Sequence, residues 1–352
     1  MGAILSHTTP RHYAILQTGA KGLGNRMQRR KFITLLGSAV ATAFPLPLLA
    51  QQAGRTVRVG MLETVSATLK PDDLAAFQEG LRALGYVEGQ NLRIEYRSAD
   101  GRPERFPQLA QELVSLNVDV ITTRGTPAAF AARNATSTIP IVMAAIGEPL
   151  LVVASLARPV GNITGLSAFV TDLMAKRVEL LRDMVPGLSR VGALLNMSNA
   201  SQPSQLTEVD NTARTIGIQS QLFDVRKAAD LAPAFENASK QQIGAFVVGI
   251  DALTQENQKL IIELAEKHRL PAIYPSREFV DAGGLITYGV NYPELYRRAA
   301  TFVDKILKGS KPGGLPVEQP TKFELVINLK AAKALRLEIP PSLLARADEV
   351  IE

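Results

Sequence analysis

Short β-rich runs alternate with amphipathic helical patterns along the chain from Arg55 onward. The run TVRVGML at 56–62 predicts a strand, and apolar residues within 71–84 then recur every three or four positions, which predicts a helix. The same alternation continues to a last predicted strand at 322–328. Strands that alternate with helices of about 10–15 residues indicate βαβ units and parallel sheets. The chain is therefore predicted to have an α/β fold.

The number of predicted strands indicates how many sheets to expect. About eleven strands are many for one open sheet, whereas two sheets of about five or six strands are ordinary. We therefore expect two doubly wound parallel-sheet lobes, although a (β/α)8 barrel of eight strands shows the same alternation. Proline and glycine interrupt the pattern at 158–162, 283–284 and 311–320, which predicts either three crossovers between the lobes or ordinary surface loops of a single domain. The predicted division is residues 54–161 and 286–319 for lobe 1 and residues 162–285 and 320–352 for lobe 2.

An export leader is predicted at 27–53. Arg29 and Arg30 precede an apolar run over 32–49, and the small residue Ala50 follows, which is the order of charge, apolar run and cleavage site in a signal peptide. The apolar run contains two prolines and is shorter than the roughly 20 residues of a membrane span. The twin arginine resembles a Tat signal, and the Sec route stays open.

Two further expectations follow from this leader. Residues 1–26 have no hydrophobic period and no acidic residue, so we interpret them as an unstructured upstream extension, with Met27 as the true start. Cleavage near Ala50 would release the mature protein into the periplasm. The alternative is an uncleaved N-terminal anchor.

Composition excludes several classes of function. Six of the 39 basic residues and none of the 33 acidic ones lie before residue 52, so the remaining chain has 33 residues of each sign. A nucleic-acid-binding domain would need a basic surface, so no nucleic acid partner is expected. The chain has no cysteine, and only one of its three histidines, His268, follows the leader. We therefore expect no disulfide, no metal site and no thiolate nucleophile.

Six segments carry a resemblance to a known family, and together they span nearly all of 55–351 in order. They are AFQEGLRALGYVEGQNLRIEYRSADG (76–101), TRGTPAA (123–129), IPIVMAAIGEP (139–149), SLARPVGNITGLS (155–167), REFVDAGGLITYG (277–289) and PTKFELVINLKAAKALRLEIPPSLLARADEVI (320–351). They resemble exported substrate-binding proteins of ABC importers, in the branch similar to tryptophan/tyrosine-type binding proteins. The resemblance implies the type I periplasmic binding protein fold, with a three-crossover hinge and a ligand in the cleft. Glu148 departs from the family's usual Gly-Asp-Pro, since this chain has Gly147-Glu148-Pro149.

Ligands of open α/β sheets bind beyond the carboxyl ends of the strands, which places the candidate residues in the strand-to-helix loops. The backbone at Gly125 and Thr126 is expected to offer a helix N-terminus to a carboxylate, with Thr126 as the N-cap and Pro127 as the first helical residue. Arg124 is a candidate bidentate partner of the same carboxylate. Asp251 is a candidate acceptor for an amino group, or a helix cap. The full set of expected ligand contacts is Glu63, Thr64, Arg124, Gly125, Thr126, Pro127, Gly147, Glu148, Asn196, Asp251, Tyr274 and Tyr288, with Phe169 as a further aromatic candidate.

The expected function is that of an exported substrate-binding protein. It would capture an amino-acid-like molecule or small carboxylate by hinge closure and deliver it to an ABC importer permease in the inner membrane. No catalytic residue and no cofactor are expected, and the protein is expected to be a monomer. Two alternatives stay open: a ligand-sensing lobe for a membrane signalling partner, and an exported enzyme on a Rossmann-like scaffold.

Overall fold

Two β-sheets organise the part of the chain that the computed structural model describes, residues 55–352. The upstream extension and the leader predicted for residues 1–53 lie outside the described residues. The strands are β1 (Val57–Glu63), β2 (Leu92–Ser98), β3 (Val120–Arg124), β4 (Ile141–Ile146), β5 (Ile163–Ser167), β6 (Arg190–Leu195), β7 (Gln219–Asp224), β8 (Ala245–Val248), β9 (Ala272–Tyr274), β10 (Ile286–Gly289), β11 (Glu324–Asn328) and β12 (Glu349–Ile351). The helices are α1 (Pro71–Ala83), α2 (Phe106–Ser115), α3 (Thr126–Ala135), α4 (Val170–Met184), α5 (Gln202–Thr215), α6 (Leu231–Lys240), α7 (Ala252–Glu256), α8 (Gln258–Lys267), α9 (Arg277–Asp281), α10 (Tyr292–Leu307), α11 (Leu329–Ala334) and α12 (Pro341–Leu344).

The strand order repeats between the two sheets. The first sheet has the order β2-β1-β3-β4-β5, and the second has the order β12-β11-β10-β9-β8-β6-β7. Read from its β7 edge, the second sheet repeats the order of the first and adds β11 and β12. Strand β11 runs antiparallel to β10, whereas the other pairs in both sheets are parallel. The predicted pair of parallel sheets is therefore present, with one antiparallel exception.

Each sheet is covered by helices on both faces. Helices α1 and α10 pack on one face of the first sheet, and α2 and α3 pack on the other. In the second sheet, α4, α5 and α11 cover one face, and α6 and α8 cover the other. Burial on both faces explains why central strands such as β3, β4 and β8 are buried along their whole length, whereas the edge strands β2 and β7 are only partly buried. We call the first sheet with α1–α3 and α10 the first lobe, and the second sheet with its remaining helices the second lobe.

Close packing of α1 on α10 depends on small residues. A Cβ on Gly80 of α1 would lie 2.8 Å from the Cβ of Ala300 and 2.9 Å from the carbonyl oxygen of Arg297 on α10. These distances are shorter than a van der Waals contact, so the two helices can approach this closely only because residue 80 has no side chain. The packing matters for the site because α10 carries Tyr292 and Tyr296.

The chain crosses between the lobes three times, at 168–169, 290–291 and 319–323. The predicted joints at 158–162 and 283–284 lie a few residues upstream of the first two crossings, and the joint predicted at 311–320 overlaps the third. The rings of Phe169 and Phe323 pack with their centroids 6.0 Å apart, which joins the first crossing to the third. Residues 166 and 318 also form a parallel bridge beside these crossings.

Two predicted boundaries assign a strand to the wrong sheet. Strand β5 was expected in lobe 2, but it pairs with β4 in the first sheet. Strand β10 was expected in lobe 1, but it pairs with β9 and β11 in the second sheet. In both places the chain completes a strand after the Pro/Gly interruption and crosses only afterwards. None of the helices in residues 55–352 has the length and hydropathy that crossing a membrane requires.

Candidate functional site

A cavity lies between the lobes at the carboxyl ends of the strands. Its volume is about 40 Å³ in this arrangement of the lobes, below the roughly 300–1,000 Å³ of small-molecule sites, so a ligand of that size requires a wider separation of the lobes. The first lobe lines it through the ends of β3 and β4, the start of α3 and Tyr292 of α10. The second lobe lines it through 250–255 and the residues Asn199 and Ser201. The site therefore exists only where both lobes meet.

The start of α3 faces this cavity. Gly125 is the N-cap, with φ of 80° and ψ of 155°, a conformation that residues with a Cβ rarely adopt. Thr126 and Pro127 are the first two helical residues, so the prediction that Thr126 is the N-cap was wrong by one residue. The first helical hydrogen bond runs from the N–H of Ala129 to Gly125, so the N–H groups of Thr126 and Ala128 precede it. Such free N–H groups form an anion site at a helix N-terminus.

Arg124 is held rigidly at the end of β3. Its Nη1 pairs with the Asp73 carboxylate of α1, and both side chains are almost fully buried. Its guanidinium also lies over the ring of Tyr292, 4.4 Å from the centroid, in a cation–π contact. Its Nη2 is buried and has no hydrogen-bond partner among residues 55–352, although Arg124 lines the cavity. Arg124 thus offers an unused, fixed donor beside the start of α3.

Glu63 does not line the cavity, contrary to expectation. Its Oε2 accepts a hydrogen bond of 2.6 Å from the hydroxyl of Tyr296 on α10. Burial raises the pKa of Glu63 from its ordinary 4.5 to about 7, although Arg124 and the Tyr296 hydroxyl both act to lower this pKa. The residue belongs to the charged surroundings of Arg124 rather than to the ligand contacts.

Asp251 comes directly before α7 in the second lobe and lines the same cavity. Its Oδ1 accepts from Asn196 Nδ2 and from the N–H of Leu253, both at 2.9 Å, and its Oδ2 accepts from Asn199 Nδ2 at 2.8 Å. Asp251 is thus a helix cap, which is one of its two expected roles. Because the three donors are neutral, none of them offsets the charge of the carboxylate.

Several contacts join the lobes across the cavity. Thr64 Oγ1 donates to Gln255 Oε1 at 2.8 Å, and Thr171 donates to the carboxylate of Glu148. The Cα of Gly147 faces the second lobe so closely that a Cβ would lie 3.0 Å from Val170 Cγ2. These contacts describe a closed arrangement of the two lobes.

Of the expected ligand contacts, the structure brings together Thr64, Arg124, Gly125, Thr126, Pro127, Gly147 and Asp251. Asn196 and Glu148 do not line the cavity, but each bonds to a residue at its edge. Tyr274 is buried in the second lobe, where its ring stacks on Phe279 at 5.1 Å. Tyr288 and Phe169 instead pack against Phe323 at the third crossing. These three aromatic residues are therefore removed from the set of cavity-lining residues.

Sequence reasoning missed other residues that line the cavity. Phe106 and Tyr292 supply aromatic walls, and Gln255 supplies a buried amide. Tyr292 begins α10 shortly after β10 ends, and a helix start at a strand end was a usable signal, whereas Phe106 is separated from β2 by residues 99–105. Gln255 stands in the fourth position of α7 and carried no signal beyond its closeness to Asp251. Within residues 55–352, no group of three or more histidine, cysteine, aspartate or glutamate side chains is placed to hold a metal ion.

Comparison with known proteins gives consistent results. The sequence model of a family described as ABC transporter substrate binding protein matches residues 58–351. The chain is 26% identical over 264 residues to a tyrosine-binding protein of Clostridioides difficile, which covers 74% of this chain and 76% of that protein. It is also similar to the solved structure of a conserved domain protein from Vibrio cholerae, with 30% identity, a TM-score of 0.80, and coverage of 84% of this chain and 100% of that one.

A second solved structure, the ABC domain from Streptococcus pneumoniae in complex with L-Trp, is similar as well. It shares 27% identity, with a TM-score of 0.77 and coverage of 83% of this chain and 100% of that one. Together with the strand order, these similarities confirm the predicted fold class, two doubly wound lobes of the periplasmic binding protein type I kind.

Proposed function

This chain belongs to the ABC transporter substrate-binding protein family, a non-enzymatic family, and we propose that it captures a zwitterionic amino acid with an aromatic side chain between its lobes. The observation that carries the proposal is the division of charge across one cavity. The first lobe presents Arg124 Nη2 and the start of α3, and the second lobe presents the carboxylate of Asp251. A carboxylate fits the first set and an ammonium group fits the second.

The remaining wall of the cavity suits an apolar side chain. Phe106, Tyr292, Val170 and Ile250 line it, with alanines between them. Aromatic and aliphatic walls with a few placed polar groups are typical of small-molecule sites. A relative that binds tyrosine and a neighbour in complex with L-Trp support an aromatic amino acid in particular.

Closure of the lobes couples ligand binding to a change of shape. The lobes pivot on the crossings at 168–169, 290–291 and 319–323, so that each lobe moves as one body. A ligand shifts this equilibrium only as far as it binds the closed form more tightly than the open one. A zwitterion meets that condition because only closure places Asp251 and Arg124 on its two ends at once.

Export and delivery complete the proposed role. The leader at 27–53 supports export to the periplasm, and family membership supports delivery to the permease of an ABC importer. The mature protein would act there as a monomer, which size-exclusion chromatography with light scattering would test.

The experiment on ligand identity is calorimetric titration of the mature protein with L-tryptophan and L-tyrosine. We expect saturable binding at one site and recovery of the amino acid chemically unchanged. Arg124→Lys removes Nη2 but keeps a positive charge, and Asp251→Asn removes the negative charge. Each should weaken binding by about 2–5 kcal/mol, while Arg82→Lys on the first-lobe surface serves as the control. Wild-type affinity in both variants would contradict the proposed site.

A further inference from the structure

Gln255 places an unsatisfied amide group at the cavity. It lies on α7 of the second lobe and is only 2% exposed. Its Oε1 accepts the 2.8 Å hydrogen bond from Thr64 Oγ1 across the cleft. Its Nε2 is buried and has no hydrogen-bond partner within residues 55–352. A buried donor without a partner destabilises the state that contains it. An acceptor at this position would therefore stabilise the closed form.

Two features of the cavity favour a ligand as the source of the missing acceptor. Gln255 lines the same cavity as Arg124, whose Nη2 is likewise buried without a partner. Thr64, which bonds to Gln255, also lies beside the start of α3. Its Cγ2 would be 3.5 Å from a Cβ on Gly125, the N-cap of that helix. The amide of Gln255 therefore lies near the helix start that favours negative charge.

The position of Gln255 relative to Asp251 matches the head group of an amino acid. The N–H of Gln255 donates to the carbonyl of Asp251 at 3.0 Å, so the two residues are one helical turn apart. Side chains at this spacing are neighbours, with Cβ atoms about 5–6 Å apart. The ammonium and carboxylate of an α-amino acid are joined through a single carbon atom, so adjacent acceptor and donor side chains can hold both.

We propose that Gln255 Nε2 donates a hydrogen bond to the ligand's carboxylate, and that Thr64 is the positioning residue that turns this amide toward it. The inference rests on the proposed function, because it assumes a zwitterionic amino acid in the cavity. It adds a contact from the second lobe to a group that the first lobe also binds. The ammonium group then binds Asp251 and the carboxylate binds Gln255, so both charged groups of the ligand favour the closed form through contacts at α7.

The test compares L-tryptophan with L-tryptophan amide, in which the carboxylate is replaced by a neutral group that contains a donor. Gln255→Glu keeps the oxygen that Thr64 bonds and replaces the NH2 with a second oxygen. Titrated at pH 8, this variant should bind L-tryptophan about 100-fold more weakly than the wild type. Its affinity for the amide should change far less, because the new oxygen can accept from the amide NH2. The preference for acid over amide should therefore fall by at least about tenfold.

Three further variants complete the design. Thr64→Val removes the hydroxyl at nearly constant shape and should weaken L-tryptophan binding about tenfold, with a loss of acid-over-amide preference in the same direction. Gln255→Met has a similar length without the donor, and it should weaken L-tryptophan binding about tenfold, which tests the contact if Gln255→Glu does not fold. Gln90→Glu, at an exposed loop position, introduces the same charge change and should leave both affinities unchanged.

The outcomes separate the two proposals. If the wild type binds neither probe, the aromatic amino acid class is wrong, and the carboxylate contact with it. If the wild type binds L-tryptophan and Gln255→Glu keeps the wild-type preference, only the role of Gln255 is wrong. Tighter binding of L-tryptophan to Gln255→Glu would also overturn it, since residue 255 would then face the ammonium.

Discussion

Lys70 and Glu278 form an ion pair across the cleft, with Lys70 Nζ 3.0 Å from Glu278 Oε1. Lys70 comes immediately before α1 in the first lobe, and Glu278 lies on α9 in the second. The Lys70 side chain is 3% exposed and that of Glu278 is 27% exposed. Burial disfavours the charged form of Glu278, but Lys70, Arg124 and the hydroxyl of Ser276 together lower its pKa to about 2. The pair therefore ties the lobes together in the closed form without lining the ligand cavity.

Removing this pair should weaken ligand binding although neither residue lines the cavity. Lys70→Met leaves Glu278 buried without its partner whenever the lobes close, so closure costs more free energy. Loss of one member of a buried pair costs about 3–5 kcal/mol at most, and opening would relieve part of this cost. We expect at least tenfold weaker binding of L-tryptophan, since tenfold corresponds to about 1.4 kcal/mol.

A double-mutant cycle by calorimetry measures the coupling between the two residues. Lys70→Met with Glu278→Gln should lose less than the sum of the two single losses. Arg297→Met breaks an exposed pair with Glu79 inside the first lobe and serves as the matched control. Additive losses, or an equal loss in the control, would contradict a specific contribution of the pair to closure.

The protonation of Glu63 should make stability depend on pH. Burial raises its pKa to about 7 from 4.5, so the folded protein holds this proton more tightly than the unfolded chain does. The resulting stabilisation is complete below about pH 4.5 and is lost as the pH rises to about 7. Glu63→Gln is neutral throughout, so the variant should gain up to about 3 kcal/mol relative to the wild type across that window.

Urea unfolding of the wild type and Glu63→Gln between pH 4 and 8 measures this difference directly. Because other titrating groups are shared by both proteins, the difference between them isolates residue 63. A constant difference over the whole range would show that Glu63 titrates normally. Glu79→Gln, which removes an exposed carboxylate of the first lobe, serves as the control.

The architecture was predictable from the sequence because periodicity and turn residues are local signals. The alternation of strands and helices gave both sheets, and Gly125-Thr126-Pro127 gave the start of α3. The wrong assignment of β5 and β10 arose because a Pro/Gly break marks a change of direction, whereas sheet membership depends on which strand pairs next.

The remaining residues of the site, such as Tyr292 and Gln255, are brought there by tertiary contacts that no local sequence pattern reports. Tyr292 reaches Arg124 only because α10 returns to the first lobe about 170 positions later in the chain. Gln255 meets Thr64 only because the lobes close. Tyr274, in turn, looked like a loop residue at a strand end but is turned into the core, where it stacks on Phe279.

Replacing Gly125 should lower both the stability of the fold and the affinity for the ligand. Replacing Gly309, another glycine with positive φ, should lower the stability alone. Gly125→Ala forces a Cβ into a conformation that costs about 1–3 kcal/mol, and it displaces the start of α3 in the cavity. Gly309, with φ of 99° and open space around it, lies far from the ligand residues in the loop after α10. Thermal unfolding should show a loss in both Gly125→Ala and Gly309→Ala. Calorimetry should show weaker L-tryptophan binding in Gly125→Ala only, and equal affinities would remove α3 from the site.

The predicted leader at 27–53 implies a position for the mature N-terminus. Exported protein should begin near Gln51, because a small residue, Ala50, follows the apolar run. N-terminal sequencing of the periplasmic fraction measures this, and an intact Met27 would contradict cleavage. Arg29→Lys together with Arg30→Lys tests the route, since loss of export favours Tat and unchanged export favours Sec.

We propose that one ligand is held at both of its charged ends by opposite lobes. Calorimetric titration of the wild-type protein with L-tryptophan, tryptamine and indole-3-propionate tests it most directly, since the second lacks the carboxylate and the third lacks the ammonium group. We expect each analogue to bind at least about 100-fold more weakly than L-tryptophan, because tryptamine leaves Arg124 Nη2 without an acceptor and indole-3-propionate leaves the Asp251 carboxylate without a cation. Binding of either analogue with the affinity of L-tryptophan would contradict it.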